Sequence, residues 1–215
     1  MDAATLETAV RARLRDRMLL DHPFYRRWSE GGVGADELRA YAAQYRHFEA
    51  MLPAHLEAVA ATAGHPALRD QALRNLADEA GASPTHLDLF ERFASAIDAP
   101  AHTDPSPAME RLLDTCRDAA RRGAAPGFAA LLAYEIQAPA VASSKAAGLR
   151  DHAGLDGEAL DFWNVHARLD SDHAAWALDA LAESGAAQDD VVDAAGAAAD
   201  AWWAFLDERE ALNAA

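Results

Sequence analysis

Cys116 is the only cysteine in the chain. That excludes an intramolecular disulfide and a zinc–thiolate cluster. Positive charge is scarce as well: 19 Lys and Arg stand against 35 Asp and Glu, for a net charge of −16. Binding to nucleic acid or to anionic lipid needs clustered Lys and Arg, so neither partner is expected. The acidity reads as a strongly hydrated surface. Lysine is rarer still: Lys145 is the only one, and the other basic side chains are arginines. No segment approaches the roughly 18 uncharged apolar residues that cross a membrane. The stretch from Met1 to Arg17 is charged and periodic rather than signal-like, which leads to the expectation of a cytoplasmic protein. Alternating β-branched runs, the mark of strands, are absent too.

What is present is helical material. Apolar residues make up 51% of the 215, with alanine foremost, which favours helix and allows a sizeable core. The length fits one domain over residues 1–215. Periodicity predicts helices near Ala4–Leu20, through Phe24, Tyr25 and Trp28, over Ala35–Ala63 with a kink at Pro53, from Pro66 to Ala80, and on to Ile97. A proline-rich loop covers Asp98–Pro107. Further helices follow near Ala108–Arg122, Pro126–Leu149, Gly157–Glu183 and Ala187–Leu212. Short connections give an all-α, compact bundle of seven or eight helices.

Three places on these helices carry chemistry. His166, Asp170 and His173 form an H-x3-D-x2-H pattern. At about 100° per residue they fall near 0°, 40° and −20°, a single narrow stripe. Flanked by Phe162, Trp163, Leu169 and Trp176, such a stripe is costly to bury unless something satisfies it. Two imidazoles and a carboxylate suit iron, manganese or zinc. Glu135 is the only charge between Arg122 and Lys145, so it calls for a cation. Pro139 has no N–H for the Glu135 carbonyl, and a bend is expected there. Glu79 and His86, seven apart, share a face only if the helix is continuous, and Gly81 and Pro84 lie between them. The centre should be least firmly held at that point. Three carboxylates and three imidazoles from neighbouring helices are how bundles build carboxylate-bridged dinuclear sites. His22, His47, His55, His65, His102 and His152 show no comparable spacing. His47 and Glu49 could line a pocket, but core or surface roles fit them better. Tyr41, Tyr45 and Phe48 read most simply as core.

With its E-x6-H, single Glu and H-x3-D-x2-H order, the chain resembles the haem-oxygenase-like dimetal oxidases and oxygenases, relatives of TenA and PqqC. The likeness runs from His22-Pro23-Phe24-Tyr25 to His173. It implies that fold, and a metal set of Glu79, His86, Glu135, His166, Asp170 and His173 holding Fe/Fe or Fe/Mn. Dioxygen and an external electron donor would be co-substrates, and a homodimer is possible. More narrowly, the chain is similar to CADD-type self-sacrificing p-aminobenzoate synthases, in which a tyrosine of the protein supplies the ring and a lysine the amino group. Their tyrosine after His-Pro-Phe matches Tyr25, a second active-site tyrosine matches Tyr41, and the lysine ten residues after the middle Glu matches Lys145. Tyr134 precedes Glu135 as in that group. Where relatives often have Tyr-Gly, this chain has Ala153-Gly154, a departure that bears mainly on packing.

Arginine cannot stand in for lysine where a free amine must lose its proton and react. Lys145 lies at i+10 from Glu135, about 80° around a helix, within reach of the metals for a long side chain. Scarce Ile and Asn point to GC-rich coding, so composition alone leaves its role open. The Lys-x2-Gly-Leu run at Lys145–Leu149, common in the family, also allows a structural role. The resemblance implies p-aminobenzoate synthesis for folate, with the ring of Tyr25 and the nitrogen of Lys145. One alternative is a multiple-turnover oxidase of a fatty acid or amino acid, with a pocket at Phe24, Trp28, Phe48 and Leu52. A second is a non-enzymatic interaction or regulatory protein.

Overall fold

The computed structural model describes residues 2–81 and 83–213, and of residues 169–172 the backbone alone. Its secondary structure among the described residues is helical throughout: α1 (Ala3–Leu14), α2 (Pro23–Ser29), α3 (Ala35–Thr62), α4 (Pro66–Ala80), α5 (His86–Ala96), α6 (Pro107–Arg122), α7 (Ala124–Glu135), α8 (Ala138–Ala153), α9 (Asp161–Glu183) and α10 (Gln188–Asn213). Short 3-10 turns at Arg15–Arg17, Leu19–Asp21 and Gly157–Leu160 join them.

The centre of the bundle is α7, whose residues from Phe128 to Tyr134 are all buried. A helix that is apolar on every side belongs in the interior. It packs on α10, α6, α3 and α9. Alanine and glycine permit close approach: a Cβ on Gly127 would come within 2.9 Å of both Ala120 and Val59.

The segment expected as one helix over Pro126–Leu149 is two. Gln137 breaks it, and Pro139 follows as the second residue of α8. Gln137 also repairs the break. Its Nε2 donates to the Ala133 carbonyl at 2.9 Å, and its Oε1 accepts from the Leu19 N–H at 2.7 Å. The second bond explains why α1 stops at Leu14 rather than continuing to Leu20: the Leu19 N–H is held by a distant side chain, not by its own helix. By contrast, α3 carries through Pro53 without ending, because one missing backbone bond is outweighed by burial on both sides of it.

Two His-Pro pairs start helices in the same way. His22 Nδ1 accepts from the Phe24 N–H at 3.1 Å, and His65 Nδ1 accepts from the Ala67 N–H at 3.3 Å. In each case proline takes the first helical position, where its missing N–H costs nothing. Thr85 and Asp88 form a reciprocal capping box that sets His86 at the first position of α5.

Candidate metal centre and the tyrosine–lysine chamber

Glu79 lies in the last turn of α4 and His86 opens α5, so the segment between the two helices separates them along the chain, yet they meet in space. Glu79 Oε2 lies 3.0 Å from His86 Nδ1. The two atoms are at ion-pair distance without hydrogen-bond alignment. His166 projects from α9 toward them, its ring centroid 4.7 Å from that of His86. One ligand atom from each of Glu79, His86 and His166 lies within 4.8 Å of the other two.

The imidazoles are prepared by their surroundings. His166 Nδ1 donates to the Phe162 carbonyl at 2.8 Å, which leaves Nε2 as the nitrogen with a lone pair. Burial holds its pKa down at about 4, against a smaller opposing pull from Glu79, so the ring is neutral and able to ligate at neutral pH. His173 Nε2 meets Asp78 Oδ2 at 2.9 Å, the carboxylate–histidine pairing that commonly orients a ligand. Burial would lower the His86 pKa, but contact with Glu79 outweighs it and the net shift is upward. Burial would likewise raise Glu79, but contact with His86 outweighs it and brings the carboxylate below its ordinary value.

Glu135 ends α7 and faces the same interior. Asn75, oriented by a 2.8 Å bond from Gln71, donates to Glu135 Oε1 at 3.3 Å. Glu135 Oε2 is buried and without a partner. Burial, with the charge of Glu79 added, pushes its pKa up to about 8. Glu79, Glu135, His166 and His173 line one internal cavity of about 30 Å³, room for one or two water-sized molecules. The side chain of Asp170 lies outside the described residues.

One residue of this cavity stood apart in the sequence. Glu49, to which a core or surface role fitted better, is 4% exposed and lines the cavity, with Oε2 buried and unpartnered. Burial and the charge of Glu79 raise its pKa to about 8, against smaller pulls from the nearby Tyr45 hydroxyl and Lys145. His47, beside it in sequence, lines a separate surface pocket with His102 and Asp104.

Next to the cavity is a closed aromatic chamber. Tyr25, Tyr41, Tyr45 and Lys145 are all within 1% of complete burial. The hydroxyls of Tyr25 and Tyr41 are 2.7 Å apart, and the Tyr45 hydroxyl donates to that of Tyr134 at 2.9 Å. Lys145 faces the same chamber. Its Nζ ends among rings, at 4.2 Å from the centroid of Trp163, 4.3 Å from Tyr45, 5.2 Å from Tyr41 and 5.3 Å from Tyr25. No hydrogen bond satisfies it. Desolvation depresses its pKa well below the ordinary lysine value, with only a partial counter-pull from Glu49, which favours the neutral, nucleophilic amine. Trp28 closes the chamber over Gly148, where a Cβ would come within 2.6 Å of the indole.

The apolar pocket expected at Phe24, Trp28, Phe48 and Leu52 does not form as one space. Phe48 and Leu52 line the small cavity, whereas Phe24 and Trp28 pack against Tyr25 and Tyr41.

The chain is similar to several known proteins. A family model described as iron-containing redox enzyme matches residues 39–203. The 4-aminobenzoate synthase of Nitrosomonas europaea is 34% identical, over 96% of this chain and 92% of its own length. That of Chlamydia pneumoniae is also 34% identical, over 75% of this chain and 74% of its own. A solved structure of a CADD-like protein of unknown function from Nostoc punctiforme superposes with a TM-score of 0.80 at 18% identity, covering 96% of both chains.

Proposed function

Because the chain belongs to the family of iron-containing redox enzymes, we propose that it makes p-aminobenzoate from its own Tyr25, with Lys145 as nitrogen donor. The metal centre would be built on Glu79, His86, Glu135, His166, Asp170 and His173. The observation that carries the reading is the burial of an unpartnered lysine amine among tyrosine rings beside a cavity too small for an organic substrate. Names of the relatives support the product.

The donor set fits iron or manganese. Neutral imidazoles and carboxylates suit both ions, and a buried carboxylate oxygen without a partner at Glu135 is the kind of group a cation would satisfy. When bound, a pair of such ions supplies redox activation of dioxygen, with electrons from an external donor. The rest falls to the chain. Turning a tyrosine ring into p-aminobenzoate forms a ring C–N bond to Lys145 Nζ while the phenolic C–O and the Lys145 Cε–Nζ bonds break, and it breaks Cα–Cβ and oxidises Cβ to a carboxylate, with dioxygen as the oxidant. Lys145, whose dry surroundings favour the deprotonated amine, presents a lone pair to the rings. Tyr41 holds the Tyr25 hydroxyl, and Trp28 and Trp163 keep water out. The apolar walls leave no competing nucleophile beside the ring.

Tyr45 is the rival ring, because its centroid lies nearer to Lys145 Nζ than that of Tyr25 does. The His-Pro-Phe-Tyr motif favours Tyr25. A bacterial strain unable to make p-aminobenzoate decides the matter. The wild-type gene should rescue it, and Lys145→Arg and Tyr25→Phe should not. Mass spectrometry of the spent protein should find the altered residue at 25. Rescue by Lys145→Arg would remove the nitrogen donor, and an intact Tyr25 beside an altered Tyr45 would move the source of the ring. Repeated turnover of an added fatty acid or amino acid with every tyrosine intact would replace the self-consuming reading altogether.

A further inference from the structure

We propose that Glu49, on α3, is a further ligand of the metal centre, one that the sequence pattern does not mark. This rests on the metal reading above and extends it to a carboxylate from another helix. Glu49 is 4% exposed, and its Oε2 has neither solvent nor a hydrogen-bond partner. It shares the cavity with Glu79, Glu135, His166 and His173, and neither Asn75, which donates to Glu135, nor any other lining group meets its Oε2. A carboxylate in such a place is costly unless a cation meets it. Lys145 is not that cation: its Nζ has no hydrogen-bond partner and sits among rings.

The backbone sets Glu49 and Glu135 in the same way. Glu49 lies four residues before Pro53 and Glu135 four before Pro139, so the carbonyl of each lacks its i+4 N–H. Each carboxylate therefore stands at a point where the main chain has lost one constraint and can adjust to an ion. Charge agrees too. With Glu79, Glu135 and Asp170, Glu49 would set four negative charges against two divalent cations.

The full-length protein, freed of metal and then loaded anaerobically with Fe(II) or Mn(II), provides the test. Wild type should hold two ions per chain. Glu49→Gln should hold one with unchanged Kd and bind the second about 10-fold more weakly or worse, and Glu49→Asp should recover part of that loss. Without metal, Glu49→Gln should melt at or above the wild-type temperature, because an uncompensated buried carboxylate is gone, and the rise in Tm on loading should shrink. Two ions bound by Glu49→Gln at wild-type Kd would overturn the assignment. A lowered metal-free Tm with an undiminished rise on loading would also overturn it, because that marks a packing role. Glu49→Met, which fills the space without an acceptor, gives the same reading if the glutamine variant does not fold. A wild-type chain holding less than one ion overturns both this inference and the metal reading; two ions in wild type with an unaltered variant overturns this inference alone.

Discussion

Lys145 shows how far one residue can be read from sequence and where that reading stops. Its rarity and its place ten residues after Glu135 singled it out, and helix arithmetic set it about 80° around from that residue. The break at Gln137 reorients α8, and the amine ends in a box of rings. A lysine held neutral in the fold and protonated when unfolded weakens the fold below the ordinary lysine pKa, and this penalty fades as pH rises toward 10.5. Lys145→Met should therefore raise the Tm of the metal-free protein at pH 7, with a smaller gain at pH 10. Thermal melts at the two pH values check this, and a gain that grows with pH would contradict it. Glu49 was harder to see because a lone Glu on a long helix is ordinarily solvated. A signal was nonetheless present: Tyr41, Tyr45 and Glu49 follow at intervals of four on α3, and Pro53 stands to Glu49 as Pro139 does to Glu135.

At the scale of elements, the apolar periods and the punctuation by Pro and Gly located nearly every helix. What they missed were the ends decided by tertiary contacts: the stop at Leu14, where Gln137 takes the Leu19 N–H, and the break near Glu135. Glu79 and His86 meet because of a turn, whereas periodicity could relate them only along an unbroken helix. Helix caps now gain a functional meaning. His22 starts α2 three residues before Tyr25, and its other nitrogen is fixed by Asp207 at 3.1 Å. His22→Ala should cost at least about 1 kcal/mol, a Tm loss of about 2–4 °C, and should also lower the yield of p-aminobenzoate per chain. His22→Asn, which keeps an acceptor for the Phe24 N–H, should restore much of both. Equal yields from the alanine variant and wild type would show that the cap does not position Tyr25.

For the whole molecule, the proposed centre would couple folding to metal through the interior cluster of Glu49, Glu79 and Glu135. An ion that binds only the folded chain stabilises it by about 2.7 kcal/mol at a hundred times its Kd, or about 5–10 °C in Tm for a chain of this size. Adding Fe(II) or Mn(II) anaerobically should produce that rise, and a chelator should reverse it; scanning calorimetry with and without chelator is the measurement. An unchanged Tm would show that the acidic cluster does not hold these ions.

Tyr25 is also a strut of the hydrophobic interior, in contact with Phe24, Trp28 and Tyr41. Emptying the space of a large buried aromatic typically removes about 3–5 kcal/mol, against the roughly 5–15 kcal/mol that holds a typical native protein together. If Tyr25 is the ring consumed, the spent chain would lose a large share of its stability and become an easier target for proteolysis. Vitamin output would then be metered by the ribosome, one polypeptide per molecule, and each exhausted copy would be returned to the amino-acid pool.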